Sequence, residues 1–152
     1  MRTPLVLLVA LVFSAGRLLA AEAPPPLKAL LVLGGCCHDY AAQKDLLKAG
    51  LEARLNLKID IAYSADKNTR PALPILGNPD YAKGYDVVIH DECGADLNDV
   101  ELIKGVLAPH RAGIPGVNLH CAVHSYRVGP PAVKADAGTD RSAWFEYLGL
   151  QS

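Results

Sequence analysis

Apolar runs separated by glycine, proline and charged residues predict four strands along the chain. Residues 28–33 (KALLVL) form a near-continuous apolar run, which is typical of a strand buried on both faces of a parallel sheet. Residues 57–63 alternate between apolar and polar side chains. Shorter apolar runs follow at residues 86–90 and 113–119, the latter with its core at 117–119. Each run therefore predicts one strand.

Helical periodicity predicts three helices, at residues 41–55, 97–107 and 142–148. Asp39 is suitably placed to cap the first helix, and Gly149 to stop the last one. Two stretches lack a clear period. Residues 64–84 contain three prolines and predict a long loop with a short helical turn near 79–82, and residues 128–141 predict a second, turn-rich loop.

This order of strands and helices predicts an α/β fold with a doubly wound, mainly parallel sheet and flanking helices. The sheet would be incomplete, with about four strands, where sheets of this type have five or six. Ligands of such sheets bind beyond the carboxyl ends of the strands. A functional site is therefore expected at that edge.

The first 23 residues are predicted to be a secretory signal peptide. Arg2 supplies the positive start, residues 5–16 the apolar run, and Ala21 the preferred cleavage position. The apolar run is too short to span a bilayer, which needs about 20 residues. Residues 24–27 read as a proline-rich linker. The mature protein is thus predicted to be exported to the periplasm or beyond, without a membrane anchor.

Charge and cysteine content narrow the classes of partner. Loss of Arg2 and Arg17 with the signal peptide leaves 13 of the 15 basic residues against 16 acidic ones, a net charge of −3. This balance, without a basic patch, argues against nucleic acid as a partner. Four cysteines in an exported chain allow one disulfide, and pairing of Cys36 with Cys93 or with Cys121 stays open at this point.

Chemically active side chains collect directly after three of the predicted strands. The segments are GGCCHDY from residue 34, HDECG from residue 90 and HCAVHSYR from residue 120. They contain all four cysteines and four of the five histidines. Because parallel strands end at one edge of the sheet, these segments are expected to form one site.

The first interpretation of this site is nucleophilic catalysis. Cys121 follows a strand and opens a predicted helix, whose N-terminus would lower the pKa of the thiol and stabilise an oxyanion. A histidine would act as the base, with Asp91 or Glu92 orienting it. The candidate catalytic residues are Cys121, His120, His124, His90 and Glu92. The alternative is that Cys121 is a small buried core residue.

The second interpretation is a divalent metal site, with zinc as the example. His120 and His124 share one face of a helix if that helix starts early enough, and His38 is the third candidate ligand. Cys121, Asp91 or Glu92 would complete the coordination.

The third interpretation is ligand binding without chemistry. Gly34 and Gly35 let the backbone approach a polar ligand, and Tyr40, Tyr126 and Trp144 offer faces for sugar stacking. Arg127 is a candidate anion clamp. The candidate ligand-binding residues are Gly34, Gly35, His38, Asp39, Tyr40, Asp91, Tyr126 and Arg127.

The segments KALLVLGGCCHDY, NPDYAKGYDVVIHDECG, GIPGVNLHCAVHSYR and WFEYLGLQS together resemble the ThuA-like (trehalose utilisation) family of the class I glutamine amidotransferase-like superfamily. The resemblance implies a flavodoxin-like fold and a role in carbohydrate utilisation, as a hydrolase or isomerase on a sugar-derived small molecule. Cys121 falls at the nucleophile position of the superfamily without its flanking glycines, which argues against glutaminase activity.

The same resemblance leaves two further alternatives, a non-catalytic sugar-binding or structural domain of a larger protein and a metal-dependent hydrolase. Domains of this family continue with further strands, so residues 28–152 are predicted to be a C-terminally truncated domain. An open sheet edge in such a domain would favour association with a second copy.

Overall fold

The computed structural model describes residues 23–151. The predicted signal peptide, apart from Ala23, lies outside these residues. Within the described part of the chain, no helix has the length and apolar character needed to cross a membrane.

Four parallel strands form one sheet in the order β2-β1-β3-β4. The strands are β1 (Leu27–Gly35), β2 (Leu57–Tyr63), β3 (Val87–Cys93) and β4 (Gly116–Asn118). The predicted α/β class is confirmed, and the strand order is that of a flavodoxin-like, doubly wound sheet. The chain reverses its winding direction between β1 and β3, so the carboxyl ends of these two strands mark the expected ligand position.

Three α-helices and one short 3₁₀ helix accompany the sheet. They are α1 (Tyr40–Glu52), α2 (Val100–Arg111), α3 (Ala143–Leu148) and the 3₁₀ helix His120–His124. Asp39 caps α1 as predicted, because its Oδ1 accepts the Ala42 N–H at 3.2 Å. Gly149 stops α3 in the left-handed conformation, with φ of 76°.

The two faces of the sheet carry separate hydrophobic clusters, because alternate strand residues point to opposite faces. Leu31 and Leu33 of β1 pack on the side of α1, with Tyr40 of that helix. Leu30 and Val32 pack on the side of α2 with Ile103 and other apolar side chains of that helix. Helices therefore cover both faces, and the two faces end at one carboxyl edge.

Several predicted boundaries differ from the structure. β3 continues three residues past its predicted end at His90, so Asp91, Glu92 and Cys93 belong to the strand instead of following it. The helix predicted to open at Cys121 is a five-residue 3₁₀ helix, and α2 runs from Val100, where Asp99 caps it, to Arg111 instead of from 97 to 107. Residues 64–86 contain no helix or strand, and the turn expected near residues 79–82 is not a helix.

Candidate functional site

Two glycines at the end of β1 leave no room for a side chain, Gly35 against β3 and Gly34 against Ser64, which follows β2. Gly35 pairs with Cys93 in the register of the sheet and has φ of +106°. A Cβ on Gly35 would lie 2.1 Å from the Cys93 carbonyl oxygen, and one on Gly34 would lie 2.7 Å from the Ser64 carbonyl oxygen. The Gly35 N–H already donates to the Asp66 carbonyl at 3.0 Å, so it does not serve the predicted ligand nest.

Because β3 extends to Cys93, its side-chain alternation divides the predicted site into two groups. His90 and Glu92 project to the side of α2, where Glu92 accepts a hydrogen bond from Tyr126. Asp91 and Cys93 project to the side of α1, where Cys93 packs with Tyr40 and Cys121. The structure therefore does not bring all the candidate catalytic residues into one pocket.

The first group is a fully buried hydrogen-bond network. His90 and Glu92 have no exposed surface, and their Nδ1 and Oε1 atoms lie 2.8 Å apart. The Tyr126 hydroxyl donates to the same Oε1 at 2.7 Å. Glu92 Oε2 is buried and receives no hydrogen bond from any described residue. The network links the end of β3 to Tyr126.

His110 belongs to this network, although no sequence pattern indicated it. Its Nε2 lies 2.9 Å from His90 Nε2, and its Nδ1 lies 2.9 Å from the Ile114 carbonyl oxygen. A carbonyl only accepts, so His110 Nδ1 carries a proton and, in the neutral ring, Nε2 accepts the His90 Nε2–H. One further proton then lies between His90 and Glu92. Burial lowers the pKa of His110.

Aromatic side chains proposed to stack on a sugar are instead part of the core. Tyr126 and Trp144 are each 1% exposed and contact one another edge to face, with ring centroids 4.6 Å apart. Trp144 Nε1 donates to the Ala122 carbonyl at 3.0 Å. The expectation that Tyr126 offers its ring to a ligand is therefore wrong, because the ring has no open face.

The second group, here called the edge site, consists of His38, Tyr40, Asp91, Cys93, His120 and Cys121. Its most compact part is formed by His38, His120 and Cys121, whose potential ligand atoms all lie within 4.8 Å of one another. Cys121 is 6% exposed, and its Sγ lies 3.8 Å from His120 Nδ1. Both histidines are exposed. The loop after β1 and the 3₁₀ helix after β4 thus deliver one thiol and two imidazoles to one point.

Tyr40 and Asp91 form the buried wall of the edge site. The Tyr40 hydroxyl faces the Cys121 thiol, and no described residue gives it a hydrogen bond of ordinary geometry. Burial and then Cys121 raise the pKa of Tyr40. Gln43 donates to Asp91 Oδ1 at 3.2 Å, whereas Oδ2 has no partner among the described residues. Burial, with a smaller effect of Glu92, raises the pKa of Asp91 to about 7.

Three other candidates lie around the edge site. His124 is outside the group of close ligand atoms, with its ring centroid 5.4 Å from that of His120. Burial and then the charge of Arg127, which is half-buried, lower the pKa of His124. Asp39 uses its carboxylate to cap α1, which gives it a structural role. Among the three metal-ligand candidates, His38 and His120 therefore converge, and Cys121 takes the place of His124.

The cysteines adopt an arrangement that neither open alternative described. Cys36 and Cys37 form a disulfide with each other, and Cys93 and Cys121 are free. Cys37 has φ of +84°, which is uncommon for a residue with a side chain. The Cys36 and Cys93 sulfurs lie 3.5 Å apart. Burial and then Cys121 raise the pKa of the Cys93 thiol to about 11.

Comparisons of this chain with protein-family models, with curated proteins and with solved structures find no match. A proposal on function therefore depends on the geometry of the edge site and on the resemblance of the sequence segments quoted above.

Proposed function

We propose that the chain is an exported ThuA-like domain that uses a divalent metal ion to bind and hydrolyse a sugar-derived ligand at the edge site. The observation that carries the proposal is the convergence of His38, His120 and Cys121 within 4.8 Å. One thiolate and two imidazoles form a donor set that favours zinc, and catalytic zinc sites keep three protein ligands with a fourth position open.

The exposure of the ligands fits an open coordination position. Cys121 is buried and fixed at the start of the 3₁₀ helix, whereas His38 and His120 are exposed. A metal held by these three residues would therefore be bound by the buried Cys121 thiolate on one side and be accessible to solvent on the other. His38, His120 and Cys121 would hold the ion, and a zinc ion in such a site would supply activation of water for hydrolysis.

Polar groups beside the ligands are suited to a substrate rich in hydroxyls. The Tyr40 hydroxyl and Asp91 Oδ2 are buried atoms without a hydrogen-bond partner among the described residues. Buried polar atoms are nearly always paired, so a ligand or a water is expected to complete their hydrogen bonding. Sugar hydroxyls can both donate and accept. This complementarity supports the carbohydrate class that the ThuA-like resemblance implies.

The cysteine chemistry supports export. A disulfide between Cys36 and Cys37 persists in an oxidising compartment and is rare in the cytosol. The proposal of a periplasmic or extracellular protein thus has support that is independent of the signal-peptide pattern.

The test combines metal analysis with turnover. The purified protein is assayed on a panel of glycosides and oxidised sugars, first as isolated, then after chelation, then after zinc is added back. We expect chelation to abolish turnover and zinc to restore it. Cys121→Ser and His120→Ala should lose zinc, and His124→Ala should keep it. Turnover that survives chelation would contradict the proposal, and so would a failure to bind zinc.

One observation favours a second candidate, a domain that binds sugar without transforming it. The cavity lined by Gly35, His38, Asp39, Tyr40 and Ser64 has a volume of about 10 Å³, and a sugar would have to lie on the surface beside it. A larger cavity of about 410 Å³ lies between α3 and residues 134–137, away from the candidate residues. Zinc-dependent sugar binding without turnover would select this candidate over the hydrolase.

A further inference from the structure

We propose that Cys36, Cys37 and Cys93, once the Cys36–Cys37 disulfide is reduced, form a site for a soft thiophilic ion such as Cu(I). This site adjoins the zinc site, because the Cys93 thiol is hydrogen-bonded to Cys121, but the two sites share no ligand. It assigns a role to the cysteine pair that the hydrolysis proposed above leaves unused.

The spacing of the sulfurs fits a three-coordinate ion. The three Sγ atoms lie within 4.8 Å of one another, and the Cys36 and Cys93 sulfurs are 3.5 Å apart. Three sulfurs around one ion, with metal–sulfur bonds of about 2.3 Å as in zinc thiolates, are separated by about 4 Å. Opening of the disulfide lets the Cys36 and Cys37 sulfurs move apart to this spacing.

The backbone, and not flexible side chains, brings these cysteines together. β1 and β3 pair in parallel up to Gly35 and Cys93, so Cys36 follows directly from the paired position. The absence of a side chain at Gly35 allows this approach, since a Cβ there would lie 2.1 Å from the Cys93 oxygen. The strand pairing therefore holds Cys36 beside Cys93 before an ion binds, which lowers the entropy cost of binding.

The chemistry of the ligands distinguishes this site from its neighbour. Cys36, Cys37 and Cys93 offer sulfur only, which selects soft ions such as Cu(I). The group of His38, His120 and Cys121 offers two nitrogens and one sulfur, which suits zinc. Cys37 is exposed and Cys36 half-buried, so a reductant and an ion can reach the site, and the buried Cys93 forms its floor.

Formation of the site is a two-electron reduction followed by ligand exchange. A dithiol reductant attacks the Cys36–Cys37 bond, is itself oxidised to a disulfide, and leaves two cysteine thiols. Binding of Cu(I) then releases thiol protons to solvent as the sulfurs coordinate as thiolates. Thiol–disulfide exchange with a disulfide oxidant, which is reduced to a dithiol, re-forms the Cys36–Cys37 bond and releases the ion, so ion binding would report the redox state of the compartment.

The experiment is an anaerobic competition titration with Cu(I) against a chromophoric Cu(I) chelator. Reduced wild-type protein should bind one more Cu(I) than the oxidised protein. Cys93→Ser should weaken this binding about 100-fold or more, since loss of even an outer-shell partner costs 10–100-fold. Cys121→Ser should leave it within a few-fold of wild type.

Cys37→Ser keeps the test valid if the buried Cys93→Ser variant does not fold, because Cys37 is exposed. This variant should lose Cu(I) binding while its circular dichroism and its zinc content stay unchanged. Equal Cu(I) stoichiometry in the oxidised and reduced proteins would overturn the proposal, as would unaltered affinity in Cys37→Ser. A protein that binds Cu(I) as described but no zinc would overturn only the zinc proposal.

Discussion

The two sides of β3 differ in how their polar side chains are satisfied. On the side of α2, His90 and Glu92 are completely buried and linked by hydrogen bonds to His110 and Tyr126, although Glu92 Oε2 has no partner among the described residues. On the side of α1, Asp91 accepts one hydrogen bond from Gln43, and its Oδ2 has no partner among the described residues. Four consecutive residues thus alternate between a fully buried network of several side chains and a sparsely bonded side that borders the proposed site.

The comparison also predicts opposite responses to pH. Burial lowers the pKa of His110 below its ordinary value of 6.5. Its contribution to stability is therefore present above pH 6.5 and is lost as the pH falls from 6.5 through the lowered pKa. Burial raises the pKa of Asp91 from 3.8 to about 7, so its contribution is lost as the pH rises between those values. The side bordering the proposed site is the one that becomes less stable towards neutral pH, as expected of a carboxyl group whose charged form is disfavoured by burial.

The largest loss in the free energy of unfolding is expected from Glu92→Ala. The substitution leaves the Tyr126 hydroxyl and His90 Nδ1 buried without their acceptor. Breaking a buried charged or hydrogen-bonded pair costs about 3–5 kcal/mol. Equilibrium unfolding in denaturant measures the change in the free energy of unfolding.

His120→Ala is the matched control on the other side. His120 is exposed, so the free energy of unfolding should change by about 0.5 kcal/mol or less. If Glu92→Ala cost no more than His120→Ala, the division into a structural and an open side would be wrong.

The next largest effect is expected from the pH dependence of Asp91. In metal-free protein, stability should fall by on the order of 2–4 kcal/mol between pH 4 and pH 7, because folding favours the protonated carboxyl. Asp91→Asn should remove most of this slope, since the amide has the same shape and stays neutral. Asp80→Asn, at an exposed loop position, should leave it intact. A slope that survives Asp91→Asn would assign the titration to another group.

A somewhat smaller loss is expected from Gly35→Ala. The added Cβ would meet the Cys93 oxygen, and φ of +106° is strained for alanine, so we expect a cost of about 2–3 kcal/mol. Gly77→Ala has positive φ without any atom within 4 Å and should cost only about 1 kcal/mol. Equal thermal unfolding temperatures for the two variants would show that the close approach of β1 to β3 is not required.

The local pattern of apolar and polar residues was sufficient to predict much of the fold. The bounds of β2, the Asp39 cap and the Gly149 stop agree with the prediction, because each depends on neighbours in sequence. β3 was predicted too short by three residues, Asp91, Glu92 and Cys93, since two of them are acidic. Their burial depends on Tyr126 and other distant partners that local periodicity does not reveal.

The sequence predicts that the candidate side chains lie at the carboxyl edge of the sheet, because parallel strands end there. It does not predict how these side chains divide between the two faces of the sheet, because that depends on how far β3 continues. His110 joins His90 from a helix 20 residues away, and the Cys36–Cys37 bond depends on the positive φ of Cys37. Neither has a sequence signal. The ThuA-like membership, the sugar ligand and the export of the chain stay predictions.

The most direct test of the proposed edge site is X-ray absorption at the zinc edge on the oxidised, zinc-loaded protein. The ligand set of His38, His120 and Cys121 predicts one sulfur at about 2.3 Å and two imidazole nitrogens at about 2.0 Å from the metal. The sulfur should vanish in Cys121→Ser, and the spectrum should be unchanged in His124→Ala. A zinc environment with no sulfur, or with three, would contradict the account.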